Sequence, residues 1–589
     1  MSSIVFWAGV IGAWLVGSSY SQTLDPIEDM CARWDHQSVV KNNVLYIDGG
    51  VETFDYNGGR ILGYNQWLIR VDMSDSWDWK TNISDRRIEK TQNSGTGTYP
   101  PSLARGALFQ GPQNDTKIYT YGGTAVMANQ SFPGWVQPEV ETYTLWSYDT
   151  SGQNWQQYDV TSGSPRRPNY GAHAEAPALG LAFFLNGQLD QGSSIVTKDW
   201  WKNTTEYLDG LIIVDTVQQT TRNASTKSLG SPRVGGGLQY IENISSNGIL
   251  VALGGMRSAG ARTENSTNGV LIDFTTVGIT DDFVGNGDVT WYNQTTTGDI
   301  PPARVDFCIT AVSASDNSSY NIYLYGGYDP INSTMYDDIY VLSLPSFTWT
   351  KLFGPGESAR YGHTCHLVGK RQMLTVGGSL DAKAYAIETT AAPLNLSSLQ
   401  CDWEEKGVAI YDMSTLEWGS VFNAYKVAYQ VPQKLFAVIG GTGDGKATMT
   451  APANGFAQAA ISTMFNPPPT TSAASSTASN SASNETNTGA IAGGVVGGVA
   501  GLALIVGAVF WALRSKKRQK RHDPNAPEMD HEATRQEMES ALPPRELLVD
   551  ERPSEVGAHK EPVEMDAYSK PTEMDAAHEH PVELPGDQR

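Results

Sequence analysis

The side chains best suited to acid–base or metal chemistry before residue 466 are four histidines, His36, His173, His363 and His366. His363 and His366 lie three residues apart, and on a strand, where side chains alternate, this spacing directs them to opposite faces and disfavours a shared metal ion. His36 and His363 each follow an arginine by three residues, which predicts a common role in building a repeated unit. The sequence also lacks G-x-S-x-G, phosphate-loop and HExxH motifs. We therefore predict no catalytic residue, metal site or cofactor.

The cysteines are the second chemically reactive set, and all of them precede residue 466: Cys31, Cys308, Cys365 and Cys401. An even number in an oxidising compartment allows two disulfides, with three connectivities that the sequence does not rank. The irregular spacing and the absence of a Cys-x-x-Cys pair disfavour a zinc site. We interpret the four as structural thiols or disulfides.

A repeated unit must position these residues. In its clearest copy, the apolar run 322–325 ends in Gly326-Gly327, and Trp349 closes the unit. β-branched and aromatic residues favour a buried strand, and a glycine pair permits a turn and close backbone packing. Similar predicted strands that end in a glycine pair occupy the segments 44–50, 118–123, 249–255, 373–378 and 435–441. The segment 182–187 is a degenerate copy. The pattern predicts seven units.

About fifty residues per unit, with a glycine pair and a tryptophan, is typical of a β-propeller blade. Residues 30–465 resemble the kelch-repeat family, and this resemblance implies an all-β, kelch-type propeller of seven blades. The seventh unit is short after Gly441, so we expect residues 23–30 to pair into the last blade and latch the ring.

Propellers host binding modules and enzymes alike, so the fold does not decide the function. Galactose oxidase also carries kelch-like blades, but its kind of copper site needs several histidine and tyrosine ligands at the axis, which four scattered histidines supply poorly. Pairs of carboxylates for hydrolysis are invisible in sequence. Non-enzymatic binding is favoured, and a carbohydrate-active oxidase or hydrolase with an axial site is the alternative.

Long loops follow several glycine pairs and emerge together on one face of a propeller, where ligands commonly bind. Their aromatic side chains offer a flat apolar face and a polar edge, which suits a glycan or a protein ligand. The alternative is that each aromatic residue packs under its own loop. The predicted ligand-binding residues are Trp135, Trp200, Trp201 and Tyr207.

N-glycosylation motifs are numerous, and none occurs after residue 513. Such a distribution indicates that residues 22–488 are lumenal or extracellular. The twelve motifs are at Asn82, Asn114, Asn129, Asn203, Asn223, Asn243, Asn265, Asn293, Asn317, Asn332, Asn395 and Asn484.

The amino-acid composition changes along the chain, and the order of the resulting segments indicates a single-pass type I protein of the plasma membrane or another secretory-pathway membrane. The basic cluster just after the uncharged segment places the C-terminus in the cytoplasm. The predicted segments are a signal peptide (1–21), the propeller ectodomain (22–465), a Ser/Thr/Pro-rich stalk (466–488), a transmembrane helix (489–513) and a disordered cytoplasmic tail (514–589). The arrangement resembles filamentous-fungal surface proteins, which implies a cell-surface or wall-facing location.

Two further partners are predicted. Gly493, Gly497 and Gly501 recur every four residues, which favours a homodimer through the span, although glycine is common in spanning helices. Acidic-apolar tetrads in the tail suit loose docking of a cytoplasmic partner, or are a spacer. The net charge of −22 disfavours nucleic acid as a partner.

Overall fold

The computed structural model describes residues 24–467 except 57–58, 126–143, 161–166, 201–203, 259–268, 355, 357, 390–395, 397–398 and 426. The predicted signal peptide, transmembrane helix and tail, with Gly493, Gly497 and Gly501, lie outside the described residues, as does the stalk beyond residue 467. Within the described part of the chain, no helix has the length and apolar character needed to cross a membrane.

Six sheets, each with four antiparallel strands in chain order, form the blades of a propeller. The sheet of blade 5 has a fifth, short strand, Thr297–Gly298, which pairs in parallel with its outer strand. Blade 1 consists of the strands Gln37–Lys41, Val44–Asp48, Trp67–Asp72 and Asp85–Glu89. Blade 2 consists of Ala104–Phe109, Lys117–Thr124, Leu145–Asp149 and Asn154–Tyr158. Blade 3 consists of Ala172–Ala176, Leu181–Leu185, Leu211–Asp215 and Thr220–Ala224. Blade 4 consists of Gly237–Ile241, Ile249–Leu253, Thr276–Thr280 and Tyr292–Thr295. Blade 5 consists of Cys308–Ser313, Tyr320–Tyr325, Ile339–Leu344 and Thr348–Phe353. Blade 6 consists of Thr364–Val368, Gln372–Val376, Val408–Asp412 and Glu417–Gly419.

The first strand of each blade contacts the first strand of the next blade, and that of blade 6 contacts that of blade 1, so the six inner strands surround a common axis. Smaller elements lie between the blade strands. They are the strands Met30–Trp34, Val51–Tyr56, Gly59–Tyr64, Trp77–Asp78, Gln188–Leu189, Glu206–Tyr207, Arg233–Val234, Met256–Ser258, Gly269–Leu271, Thr297–Gly298, Tyr328–Asp329, Thr334–Met335 and Val421–Phe422, the 3-10 helix Pro177–Leu179, and the α-helices Ala382–Thr389, Gln433–Ile439 and Ala459–Phe465.

A closed circle of backbone hydrogen bonds joins the entrances of the six inner strands. Going round the axis, the amide of each residue donates to the carbonyl of the residue before it, and the amide of Asp35 completes the circle by donating to Gly362, with N···O distances of 2.8 to 3.0 Å. All six backbones are left-handed, with φ from 52° to 66°. We call this set the axial ring: Asp35, Arg105, Tyr170, Gly235, Asp306 and Gly362.

The glycine pairs join each blade to the next one. Both members have positive φ, which lets their backbones approach neighbouring main chain. In five of the six blades the amide of the second glycine donates across the blade boundary, at Gly50, Gly123, Gly187, Gly327 and Gly378. Gly50 donates to the carbonyl of Leu103 at 2.9 Å, and Gly378 donates to that of Arg33 at 2.7 Å. In the degenerate copy Asn186, at φ 53°, replaces the first glycine. The prediction that segment 182–187 is a blade unit is therefore confirmed.

The prediction of a seventh blade is wrong. Residues 435–441 do not form a strand, because Gln433–Ile439 is a helix that buries Leu435 and Ile439 on one face. A short apolar run fits a strand or a buried helix equally well. Here the six inner strands already contact one another round the axis, so no inner position is left for another strand.

The prediction that residues 23–30 pair into the last blade and latch the ring is also wrong. Met30–Trp34 pairs with Val51–Tyr56, which follows the first glycine pair. The link to blade 6 is instead covalent, because Cys31 forms a disulfide with Cys401. The second disulfide joins Cys308 and Cys365 on the inner strands of blades 5 and 6.

After blade 6 the chain turns back over blades 5 and 4. We call residues 427–467 the C-terminal strap. The hydroxyls of Tyr429 and Tyr323, in blade 5, lie 3.0 Å apart. The helix Gln433–Ile439 contacts the outer strand of blade 5, and the helix Ala459–Phe465 packs on the core shared by blades 4 and 5. The residues predicted to form a seventh blade therefore lie over blades 5 and 4 instead.

We expect Gly50→Ala to destabilise the protein more than Gly285→Ala, although both glycines have positive φ, 87° and 97°. A Cβ atom at Gly50 would lie 2.6 Å from Cβ of His36, whereas one at Gly285 would meet no atom within 4 Å. The expected excess loss in the free energy of unfolding is about 2 kcal/mol, measured by urea denaturation. Equal losses would contradict the close packing of Gly50 against His36.

Peptide mapping without reduction should recover two crosslinked pairs, Cys31–Cys401 and Cys308–Cys365. Replacing Cys308 and Cys365 together by serine opens a loop of 57 residues, and the chain-entropy model gives a loss of about 4 kcal/mol. The matched control is the double serine variant of Cys31 and Cys401, which should retain the Cys308–Cys365 peptide. A peptide that joins Cys31 to Cys308 would overturn the assignment.

Candidate ligand site in the axial channel

The six inner strands enclose an axial channel of about 380 Å³. Every blade contributes to its wall, because each inner strand runs along the axis. The wall carries both apolar and polar groups, including His173, Glu175, Gln239, Tyr240 and His366. Convergent polar groups in a concave site are the usual arrangement of a ligand pocket.

Side chains of the axial ring fill one end of the channel. Nε of Arg105 lies 3.1 Å from Oδ2 of Asp35, and the guanidinium stacks over the ring of Tyr170 at 3.8 Å. The hydroxyl of Tyr170 donates to Oδ2 of Asp306 at 2.6 Å. Burial, with the charge of Asp35 nearby, raises the pKa of Asp306 to about 7. These four side chains are paired with one another.

Two axial-ring glycines make room for that cluster. A Cβ atom on Gly235 would approach the Tyr170 hydroxyl to 2.9 Å, and one on Gly362 would approach Oδ1 of Asp35 to 2.7 Å. Four of the six ring positions therefore carry side chains that fill the axis, and the other two are glycines that leave space for them. The backbone does not reveal which positions carry large side chains, because all six share one left-handed conformation.

Farther along the channel the titratable groups are held neutral. Burial lowers the pKa of His173 to about 4, and burial with a contribution from His173 lowers that of His366 to about 4. Burial raises the pKa of Glu175 to about 8, although the backbone amide of Gln110 donates to its Oε2 at 2.8 Å. Near pH 7 this part of the wall presents neutral imidazoles and a largely protonated carboxyl group.

His36 and His363 have the blade-building role that their spacing predicts. A Cβ atom on Gly377 would lie 2.8 Å from Cε1 of His36, and one on Gly326 would lie 2.8 Å from Cε1 of His363. Each imidazole thus packs over the first glycine of a neighbouring pair. His366 instead makes a 2.7 Å hydrogen bond to Ser38 of blade 1, so the two imidazoles contact different neighbours. His363 lies just before the strand Thr364–Val368, so the predicted alternation along a strand does not apply to this pair.

Two groups of potential metal ligands occur among the described residues. They are Cys308, His363 and Cys365, and Cys31, Asp55 and Cys401. Each contains a disulfide, so the sulfur atoms are bonded to each other rather than present as the thiolates that bind metals. Neither group is therefore a metal site in this oxidation state.

Two of the four predicted aromatic residues, Trp200 and Tyr207, are described, and neither lines the axial channel. Tyr207 is half-buried in the strand Glu206–Tyr207 and packs on the cluster of Tyr170, Val234, Met256 and Val305, so it supports its own loop. Trp200 is half-buried, and its backbone amide donates to the carbonyl of Thr197. Trp135 and Trp201 lie outside the described residues. Sequence reasoning missed His173 and Glu175, because which inner strands face each other depends on the number of blades.

A second cavity of about 360 Å³ continues from the channel at the end away from the axial ring. It shares Gln239, Tyr240 and Leu367 with the channel and extends over blades 4 and 5 to Tyr320 and Tyr429. Tyr429 belongs to the C-terminal strap, which therefore forms part of its wall. The channel is thus accessible from a groove on this face.

The described asparagines of the glycosylation motifs are all exposed: Asn82, Asn114, Asn223, Asn243, Asn293, Asn317 and Asn332. Asn243 lines the groove that leads to the channel. Asn129, Asn203, Asn265, Asn395 and Asn484 lie outside the described residues. The described motifs are therefore not confined to the face of the loops that follow the glycine pairs.

No protein-family model matches the chain. Among curated proteins, the chain is similar to a Kelch repeat-containing protein of Arthroderma benhamiae, with 27% identity over 475 residues that cover 72% of this chain and 65% of the relative. It is also similar to Serine/threonine-protein phosphatase BSL2 of Arabidopsis thaliana, with 29% identity over 130 residues, which cover 20% of this chain and 12% of that protein. The resemblance to kelch-repeat proteins is thereby confirmed.

The chain spans less than two thirds of the length of either curated relative. Among solved structures, it is similar to the one titled "Structure of YjhT", with 13% sequence identity and a TM-score of 0.40. That match covers 67% of this chain and 98% of the other.

The raised pKa of Glu175 predicts a pH dependence of stability. In the folded state the Glu175 carboxyl group keeps its proton up to about pH 8, whereas in the unfolded state it loses that proton near pH 4.3. Between these two pH values the folded state binds more protons than the unfolded state, so the free energy of unfolding falls as the pH rises to 8. We expect Glu175→Gln to flatten the slope between about pH 6.5 and 8 by about 1 kcal/mol per pH unit, measured by denaturation at each pH.

The matched control for this measurement is Glu89→Gln, which changes an exposed glutamate on the outer strand of blade 1. The channel histidines are the same in the wild-type protein and in Glu175→Gln, so their contribution to the slope cancels in the comparison. An unchanged slope in Glu175→Gln would mean that the carboxyl group is ionised in the folded protein.

Proposed function

We propose that this chain is a cell-surface glycoprotein whose propeller binds a neutral glycan, without chemical conversion, at the axial channel. The observation that carries the proposal is the channel itself. Beyond the axial ring its wall combines apolar surface with His173, Glu175, Gln239 and His366, and burial holds these two imidazoles and this carboxyl group largely neutral near pH 7.

Neutral, partly desolvated donors and acceptors favour an uncharged ligand rich in hydroxyl groups. A charged ligand would lose its hydration without finding an opposite charge. The channel volume of about 380 Å³ is at the small end of the range for ligand pockets, about 300–1,000 Å³. One or two sugar units of a longer glycan are therefore the natural occupant, with the rest of the chain in the adjoining groove.

The charged groups of the channel favour binding over hydrolysis. Asp35 is paired with Arg105, and Asp306 accepts a hydrogen bond from Tyr170. Glycoside hydrolysis normally needs two carboxyl groups that both reach the scissile bond. Glu175 is then left without a free carboxylate partner among the described residues that line the channel.

The placement at the cell surface rests on the sequence. A signal peptide, twelve N-glycosylation motifs, a Ser/Thr/Pro-rich stalk and an uncharged segment of twenty-five residues occur in the order expected of a type I protein. The exposure of Asn82, Asn223 and Asn293 on the propeller agrees with glycan attachment there. We infer that the propeller faces outward and that the tail lies in the cytoplasm.

Binding of residues 22–465 to an array of cell-wall polysaccharides and oligosaccharides tests this proposal, and each positive sugar is analysed for product. We expect saturable binding with the sugar unchanged. Glu175→Ala and His366→Ala should weaken binding at least tenfold, about 1.4 kcal/mol, because each removes a polar group from the channel wall.

The matched control is Glu417→Ala, which changes an exposed side chain on the outer strand of blade 6. Conversion of the sugar would support an oxidase or hydrolase instead. If no sugar on the array binds, a glycan of these classes is excluded and a protein ligand is favoured.

A further inference from the structure

A second cavity with aromatic walls lies between blades 5 and 6. It encloses about 320 Å³ and shares no lining residue with the axial channel. We call it the peripheral aromatic pocket. Its aromatic side chains are Trp79, Tyr325, Phe353, Trp403 and Trp418, and its polar ones include Lys80, Asp337, Ser358, Arg360 and Glu404.

The inner wall of this pocket is rigid. Trp418, on the outer strand of blade 6, packs on Tyr325 and Tyr411 with ring centroids 4.9 and 5.0 Å apart. Trp79 is 8% exposed, and its backbone amide donates to the carbonyl of Ser420 at 3.1 Å. These rings are held in place before any ligand arrives, which lowers the entropic cost of binding.

Trp403 forms the outer wall and is 57% exposed. Its position is nonetheless defined, because its indole Nε1 donates to Oγ of Ser358 at 3.3 Å and it follows Cys401, which the disulfide to Cys31 anchors. An indole has a flat apolar face and a polar edge, which suits contact with a ligand that has one apolar face. The exposed indole faces a cavity that already has aromatic walls.

The polar side of the pocket contains an unsatisfied donor. Arg360 is 1% exposed, and its two terminal nitrogens bond to Gly377, Asp402, Ser358 and Glu404, but Nε has no hydrogen-bond partner.

Arginines at the same repeat position differ from one another. Nε of Arg33 donates to Glu52, and Nε of Arg304 donates to the carbonyl of Pro302 at 2.9 Å. Nε of Arg233 and of Arg360 has no partner, and Arg360 is the one that lines this pocket. An unpaired buried donor lowers the stability of the folded protein, so this wall of the pocket is not optimised for packing alone.

The charges in the pocket select against charged ligands. The ammonium of Lys80 already lies 5.4 Å from the ring centroid of Trp79, so the aromatic face is occupied by a cation of the protein itself. Asp337 and Glu404 oppose an anion. A neutral ligand with one apolar face and several hydroxyl groups fits both the aromatic walls and the mixed donors and acceptors.

We propose that the peripheral aromatic pocket binds a single neutral pyranose unit, with its apolar face against Trp403 and its hydroxyl groups facing the polar side chains of Lys80, Asp337 and Ser358. This site goes beyond the proposed function, because it uses none of the channel residues and binds whether or not the channel does. With both sites occupied, the propeller contacts a glycan at two separate places.

The test is a titration of the purified full-length chain, in mild detergent, with the methyl glycosides of glucose, galactose, mannose and N-acetylglucosamine. Binding is followed by calorimetry and by tryptophan fluorescence. We expect saturation with at least one sugar, a loss of affinity of at least tenfold in Trp403→Ala, and partial retention in Trp403→Phe, which keeps an aromatic plane. Trp403 is more than half exposed, so the melting temperature should be unchanged.

The channel variant His366→Ala separates the two sites. Binding lost in Trp403→Ala and kept in His366→Ala supports the peripheral pocket, whatever the result for the channel. Binding that survives Trp403→Ala and is lost in His366→Ala overturns this inference and supports the channel alone. The inference also fails if no sugar saturates, or if tetramethylammonium binds and the sugars do not.

Discussion

The circle of six backbone hydrogen bonds in the axial ring is the constraint on which the propeller depends. Each bond requires a left-handed residue at the entrance of an inner strand, and each strand is thereby fixed relative to both neighbours. Since the bonds run in one direction and close on themselves, the number of blades is a property of the circle rather than of any single repeat. The glycine pairs then join the blades a second time, farther from the axis.

Local sequence predicts the fold where one unit determines its own structure. The strand with its glycine pair was recognisable in six blades, even where Asn186 replaces a glycine, because asparagine tolerates the left-handed conformation. The segment 435–441 carries the same local pattern, yet it is a helix, since its structure depends on whether the circle is already closed. Ring closure is a non-local property that no single repeat contains.

The same distinction applies to the sites. The structural role of His36 and His363 was visible because they share a repeat position, and each packs on a glycine of another blade. The channel position of Glu175 was not predicted, because it depends on which strands meet round the axis. Trp403 was also missed, because its segment belongs to no repeated element and its role depends on a disulfide partner distant in sequence.

The path of the C-terminal strap determines how the propeller carries mechanical load. The chain leaves blade 6, crosses blade 5 and ends its described part beside blade 4, held by Tyr429 and the helix Ala459–Phe465. A pulling force on residues beyond 467 therefore acts first on the strap, which peels from blades 4 and 5. The boundary between blades 6 and 1, where the circle closes, stays outside this force path, so tension at the C-terminal end loads the strap before it loads the axial ring.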